Sequence, residues 1–322
     1  MIAIILLNMG GPDSLDAVRP FLFNLFTDRY IIELGPKWLQ PAIAWWIAKK
    51  RAPKSEKAYA KIGGKTPLLS ITNAQAKALE KQLRKKAIDV TCCVGMRYWH
   101  PRTPDVLKDL KKQGVKKVLA LSLYPHYSRV TSQTSIQDFK QAAGLLGFNY
   151  EIIARWPDAP GYIISLSNLI NEALKKYKLD PEADDFELVY SAHSMPQKMV
   201  DEGDPYPDEV KKTIYELERL TGIKGSLCFQ SRSGPVKWLK PYTDEHLKML
   251  AQQGKKKILI VPISFVSDHI ETLYEIDMEY KEMLKPFGTQ LFRIESLNTR
   301  PDFISFLAAL VEQKLKEAKW LK

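Results

Sequence analysis

Eight short apolar runs recur along this chain, at 2–7, 89–95, 117–123, 150–154, 186–190, 226–229, 257–263 and 290–294. Each is followed by a turn and then by a longer segment whose apolar residues return every three or four positions. Continuous apolar runs of this length suit strands covered on both faces, and therefore parallel sheets. Strands alternating with helices build α/β layers with helices on both sides. A chain of 322 residues has room for two domains of ordinary size. The pattern predicts two similar Rossmann-like halves, 1–155 and 156–322, each a parallel sheet of four strands flanked by helices, with an active-site cleft between them. The last helix, 302–318, is free to pack back on the first half. The other helices are predicted at 14–26, from near 72, 103–113, up to 146, 161–177, 208–220 and 244–253. Gly114, Gly147, Gly222 and Gly254 stand where helices stop. The two halves share no convincing sequence repeat.

In open α/β sheets, ligands bind outside the carboxyl ends of the strands. The residues delivered there are Arg97 and Tyr98, Tyr124 with His126, Tyr127 and Ser128, His193, and Gln230 with Ser231. His193 ends the run 186–190 and precedes the turn-rich string Gly203-Asp-Pro-Tyr-Pro207. An imidazole there either ties down a loop or serves as a base or metal ligand near neutral pH. Glu271, Glu275 and Glu279 recur every four residues, which places them along one helical flank. That flank reads as a solvated acidic face opened by a capping box at Asp268 and Glu271, or as a path for metal and protons. Asn8-Met9-Gly10-Gly11-Pro12 is a tight turn into a helix without the dinucleotide fingerprint. Arg97 suits an anionic ligand group or an internal salt bridge.

A formal net charge of +11 points to anionic partners: nucleic acid, a membrane surface or an acidic substrate. The lysines fall in pairs and triples at the ends of predicted helices, which is mostly a solvated face. No helix-turn-helix, zinc-finger or aromatic RNA-binding signature is present, so nucleic acid is not an expected partner. The segment at about 30–52 holds Trp38, Trp45 and Trp46 beside Lys49, Lys50 and Arg51. It suits a membrane interface, or its tryptophans pack into the core. Glu33, Pro36 and Pro41 exclude a spanning helix there. The start of the chain lacks a basic leader and a cleavage site, so a cytoplasmic protein with peripheral membrane contact is expected. Cys92, Cys93 and Cys228 form no ligand ladder and read as reduced thiols.

Several strings carry a resemblance when taken together in order: Asn8-Met-Gly-Gly-Pro12, Ile62-Gly-Gly-Lys-Thr-Pro67, Gly95-Met-Arg97-Tyr98, Tyr124-Pro125 with Tyr127-Ser128, Ser191-Ala-His193-Ser, Gly203-Asp-Pro-Tyr-Pro207, Gln230-Ser231 with Pro235 and Trp238-Leu239, and Ser267-Asp-His-Ile-Glu271-Thr-Leu-Tyr-Glu275. Over residues 8 to about 298 the chain resembles the ferrochelatases. The resemblance implies a lyase that inserts Fe2+ into protoporphyrin IX to give haem b. It implies His193 and Glu271 as catalytic groups facing each other across the cleft, and His193, Glu271 and Glu275 as metal contacts. Met9, Arg97, Tyr98, Tyr124, Ser128, Trp238 and Phe265 would contact the porphyrin, with Asp268, His269 and Glu279 in support. The segment at 30–52 would be the lip of the porphyrin pocket, and its length argues against the compact subclass that largely lacks it. Fe2+ is then a substrate; no resident cofactor is expected, and the cysteines are too few for an iron–sulfur cluster. Alternatives are a coproporphyrin III ferrochelatase, a cobalt or nickel chelatase, and a tetrapyrrole carrier that inserts no metal. The pairing of His193 with Glu271 argues against the carrier.

Overall fold

The computed structural model describes residues 1–234 and 236–321. Pro235, one of the residues that carry the resemblance, lies outside the described residues. The chain divides into two compact units, one of Met1–Arg155 with the segment from Asn298 onward, the other of Trp156–Leu297.

The first unit runs β1 (Ile2–Asn8), α1 (Val18–Thr27), α2 (Gln40–Lys61), α3 (Leu68–Lys85), β2 (Val90–Met96), α4 (Thr103–Lys112), β3 (Lys117–Ser122), α5 (Ser132–Leu145) and β4 (Asn149–Ile153). Its four strands are parallel, in the order β2-β1-β3-β4. β1 is central, and Ile4 to Leu7 are fully buried, so both faces of the strand are covered. Each such Ile or Leu contributes about 1.5–3 kcal/mol. This is why β1 is one unbroken apolar run instead of an alternating one.

The second unit runs α6 (Pro160–Tyr177), β5 (Phe186–His193), α7 (Gln197–Asp201), α8 (Tyr206–Thr221), β6 (Ser226–Gln230), α9 (Thr243–Gln252), β7 (Lys257–Pro262), a π-helix (Glu271–Tyr280), α10 (Lys281–Leu284) and β8 (Gln290–Arg293). Its parallel sheet has the order β6-β5-β7-β8, the same path as the first. In each unit the chain leaves the central strand for one neighbour and then crosses to the other. The carboxyl end of β5 therefore stands at a topological switch point, where such sheets bind ligands. α8 stops at Gly222, whose φ of 74° is the left-handed conformation that glycine adopts without steric cost. The final helix, α11 (Pro301–Glu317), belongs to the first unit and packs on α3. Lys314 to Glu151 at 2.9 Å and Lys86 to Glu312 at 2.6 Å tie it there.

The segment at 30–52 carried no assigned element in the sequence reading. Its second part is helix, and that helix continues through Pro53 to Lys61. Pro41 sits in the first turn, where a missing N–H costs nothing. Ala44 and Ala48, four residues apart, are buried against Phe26 of α1, and small side chains let the two helices approach closely. Gln40 pins the preceding loop: its amide donates to Phe26 O at 2.9 Å and Ile32 O at 2.8 Å, and accepts from Leu34 N–H at 2.9 Å. The tryptophans face away from this stripe. Trp38, Trp45 and Trp46 are 80%, 47% and 58% exposed, which removes the core-packing alternative. Among the described residues no helix is long and apolar enough to cross a membrane.

Candidate active site

His193 is the last residue of β5 and pairs in register with Gln230, the last residue of β6. Its backbone is clamped from the neighbouring strand and helix. Ser264 Oγ, just past β7, accepts from His193 N–H at 3.2 Å. Tyr206 at the start of α8 donates its hydroxyl to His193 O at 2.9 Å and also contacts Ser264 Oγ. The imidazole is thus fixed at its root while about a third of its side chain stays exposed.

Glu271 opens the π-helix and meets His193 directly, with Oε2 at 2.8 Å from Nδ1. The same oxygen accepts from Ser231 Oγ at 2.7 Å and Gln230 Nε2 at 3.3 Å. Burial pushes the Glu271 carboxyl up, but the charge and hydrogen bond of His193 outweigh it and hold the carboxyl well below its usual range. Glu271 is therefore a carboxylate, and Nδ1 must be the donor. For His193, burial pulls the imidazole down, while Glu271 and then Glu275 raise it on balance. Nε2 is left as the open ring nitrogen.

Ser231 links a second carboxylate to this pair. It follows β6 with a φ of 65°, a left-handed conformation unusual for serine and of the kind stored at functional sites. The turn aims its N–H at Glu275 Oε1, 3.0 Å away, and its hydroxyl at Oε2 of both Glu271 and Glu275. Tyr280 donates to Glu275 Oε1 at 2.6 Å. Burial, and then the charge of Glu271, push the Glu275 carboxyl up, only partly offset by these hydrogen bonds. One serine proton between two carboxyl groups is satisfied when Glu275 carries the second proton.

The winding here differs from the sequence reading, which took 268 onward as an ordinary helix. It is a π-helix, and its side chains pair five residues apart: Glu275 with Tyr280, and Tyr274 with Glu279. Glu279 is exposed, so the expected row of three carboxylates is a pair plus a surface residue. The capping box also differs. Glu271 is drawn to His193, and Thr272 takes its place, bonding His269 N–H at 3.0 Å and Asp268 Oδ1 at 3.0 Å. His269 packs on Phe265 with ring centres 4.1 Å apart. Its Nε2 is 3.8 Å from Glu271 Oε1, too far for a hydrogen bond. Among the described residues no three His, Cys, Asp or Glu side chains are grouped as a metal cage. His193, Glu271 and Glu275 are instead joined by hydrogen bonds through Nδ1 and Ser231.

The expected porphyrin contacts divide in two. Phe265 stands edge-on to His193 at 6.1 Å, and Trp238, whose backbone bridges to Pro196, is half-buried; both belong to the second unit. In the first unit Met9 and Tyr124 keep partly exposed side chains. Tyr98 and Ser128 do not: both are buried, and Tyr98 donates its hydroxyl to Asp28 Oδ2 at 2.8 Å. Arg97 is held by Asp28 at 2.7 Å and Asp138 at 3.5 Å, so the internal salt bridge is the arrangement present.

A family model described as Ferrochelatase matches residues 1–315. A ferrochelatase of Geotalea uraniireducens is 51% identical over 315 residues, covering 97% of each chain. The chain belongs to the ferrochelatase family. It is accordingly a metal-inserting lyase acting on a porphyrin. A second ferrochelatase, from Geotalea daltonii, is 49% identical over 314 residues, covering 96% of this chain and 97% of the relative. Among solved structures, SirB from Bacillus subtilis with Fe3+ aligns with a TM-score of 0.58 at 12% identity, covering 99% of this chain and 97% of that one. The sirohydrochlorin chelatase SirB from the subspecies spizizenii, in complex with cobalt, gives 0.56 at 11% identity, covering 99% and 97%. These two likenesses show the fold: two four-stranded parallel sheets with flanking helices. Against this ferrochelatase background, Tyr206, Gln230, Ser231, Ser264 and Tyr280 are the site residues that sequence reasoning left without roles. Tyr206 and Gln230-Ser231 stood in the quoted strings. The five-residue spacing of Glu275 and Tyr280 was the one signal for the last.

Proposed function

We propose that this ferrochelatase inserts Fe2+ into protoporphyrin IX, giving haem b and two protons. The observation that carries the catalytic reading is His193, rooted at a switch point, with Nδ1 held by an ionised Glu271 and Nε2 open. Each pyrrole N–H of the substrate must lose its proton as iron enters. Nε2 accepts the first and gives it up to solvent through its exposed edge, then accepts the second, and Glu271 offsets the positive charge each time. Glu271 and Glu275, joined by Ser231, offer oxygen contacts that hold Fe2+ briefly and release it. Phe265, beside His193 in the second unit, supplies apolar contact to the macrocycle. Asp268 and His269 steady the start of the π-helix.

No resident cofactor is part of this reading. Cys92 and Cys93 lie on β2 and Cys228 on β6, three thiols where a four-cysteine cluster needs four.

The exposed tryptophans of α2 and the loop before it favour the more apolar porphyrin. The test is anaerobic: Fe2+ with protoporphyrin IX or coproporphyrin III, following the porphyrin bands. Faster turnover of protoporphyrin IX is expected. Faster turnover of coproporphyrin III would overturn the substrate assignment, and tight binding without insertion would favour a carrier.

The same tryptophans support peripheral membrane contact. Lys49 lies 5.2 Å from the Trp45 ring and Lys50 5.2 Å from that of Trp46, so apolar and basic groups alternate on one exposed face. Such a face suits an anionic lipid surface. The protein should sediment with anionic vesicles, and Trp38→Ser with Trp46→Ser should weaken this by about tenfold or more. Equal sedimentation of the double variant would remove the lip from membrane contact.

A further inference from the structure

The acidic residues around the π-helix have two sets of partners. Glu271 and Glu275 meet His193 and Ser231. Asp268 and Asp277 share Arg293, the last residue of β8. Arg293 Nε and Nη2 donate to Asp277 Oδ2 at 3.0 and 2.8 Å, and Nη1 lies 3.1 Å from Asp268 Oδ1. Nη1 also donates to Ile294 O at 3.1 Å. Asp268 Oδ1 accepts further bonds from Thr272 Oγ1 at 3.0 Å and Ser296 Oγ at 2.8 Å. The Arg293 side chain is only 10% exposed. Burial alone would weaken its hold on the proton, and the two aspartates outweigh that.

The spacing of the two aspartates makes this grip informative. They are nine residues apart, Asp268 standing just ahead of the helix. Arg293 therefore joins the coil that leads into the π-helix, at Asp268, to the second turn of the helix itself, at Asp277. A planar guanidinium with fixed donors can then bind both at once, which a lysine cannot do.

We propose that Arg293 is a positioning residue for metal insertion: by binding Asp268 and Asp277 together it fixes the π winding that holds Glu271 and Glu275 at His193 and Ser231. The inference rests on the roles proposed above for those two glutamates. Arg293 touches neither of them, so its effect is transmitted through the backbone of the π-helix.

The test uses full-length Arg293→Lys and Arg293→Met at a temperature where both remain folded by circular dichroism. Lysine keeps the charge and reaches one carboxylate, so it carries the test if the methionine variant misfolds. In both, kcat for anaerobic Fe2+ insertion should fall about 10- to 100-fold, as for groups that orient metal-site ligands. The KM for porphyrin should stay within about twofold while that for Fe2+ rises. Amide hydrogen exchange should quicken over residues 268–280 and stay unchanged in β5. Wild-type kcat in a folded variant would overturn the proposal, as would exchange that quickens everywhere alike. Glu271→Ala, run alongside, separates the two ideas. Retained activity there removes the role of Glu271, whereas unchanged exchange over 268–280 in the Arg293 variants removes the role of Arg293.

Discussion

Replacing His193 with alanine is expected to lower kcat for metal insertion by about a thousandfold, or about 4 kcal/mol of barrier, with porphyrin affinity little changed. The size follows from how little else is available near Glu271 to receive a pyrrole proton. Glu271 is already ionised, but its Oε2 is occupied by Nδ1, Ser231 and Gln230. Glu275 is occupied by the N–H and hydroxyl of Ser231 and by the Tyr280 hydroxyl. His269 Nε2 is 3.8 Å from Glu271 Oε1, and its ring lies against Phe265. His193→Asn is the sharper comparison, because it keeps a side-chain donor toward Glu271 but no nitrogen that titrates near neutrality. Both variants should bind porphyrin, read by fluorescence quenching, and both should fail in anaerobic turnover. Activity in either variant within tenfold of wild type would remove His193 from proton transfer.

The switch-point position of His193 was legible because parallel strands buried on both faces leave an unbroken apolar signature. The run 186–190 marks β5, and the turn chemistry at Gly203-Asp-Pro-Tyr-Pro207 closes the loop beyond it. The same logic places β1, where the sequence reading and the strand differ by one residue at the end. The winding of the π-helix was not legible. Carboxylates four apart share a face in an α-helix and in a π-helix alike, so Glu271 and Glu275 cannot tell the two apart. The pairing of side chains five apart, Glu275 with Tyr280 and Tyr274 with Glu279, separates them, and that shows only once the helix is seen. α2 was given no element in the sequence reading: Pro41 sits in its first turn and Pro53 inside it, and an interior proline is not a helix signal. Tyr98 and Ser128 show a further limit. A polar or aromatic residue at a strand end can face a ligand or an internal partner, and sequence does not say that Asp28 is waiting for Tyr98. Arg97 was left open between the same two choices, and the structure places Asp28 beside it as well.

Glu271→Gln should both slow the reaction, by about 100-fold, and remove most of its pH dependence in metal binding. The glutamine keeps the size of the side chain and its hydrogen-bonding oxygen, so the variant tests charge. In the wild type the Glu271 carboxylate raises His193 above its ordinary value of 6.5, so the imidazole stays protonated further into the neutral range. The positive charge of that imidazolium repels Fe2+ from Glu271 and Glu275, so its KM should fall as pH rises, by up to tenfold per unit below the raised value. Without the carboxylate, burial is the leading influence on His193 and moves it down. Removing the Glu271 charge also lets Glu275 ionise more readily, which returns a smaller part of the upward push. The net direction is down, and the KM for Fe2+ should flatten between about pH 6 and 8. Stability gives a second reading with its own sign. A raised histidine stabilises fully below 6.5 and loses that contribution as pH rises through the folded value. A depressed glutamate stabilises fully above 4.5 and loses it as pH falls through the folded value. The penalty of Glu271→Gln in urea melts should therefore be greatest between those two values and shrink on either side. Because a third of the imidazole is exposed, screening keeps that penalty modest. A variant that kept the wild-type slope of KM against pH would show that Glu271 does not set the protonation of His193. A slope that flattened with kcat intact would confine Glu271 to tuning the imidazole and leave proton transfer to His193 alone.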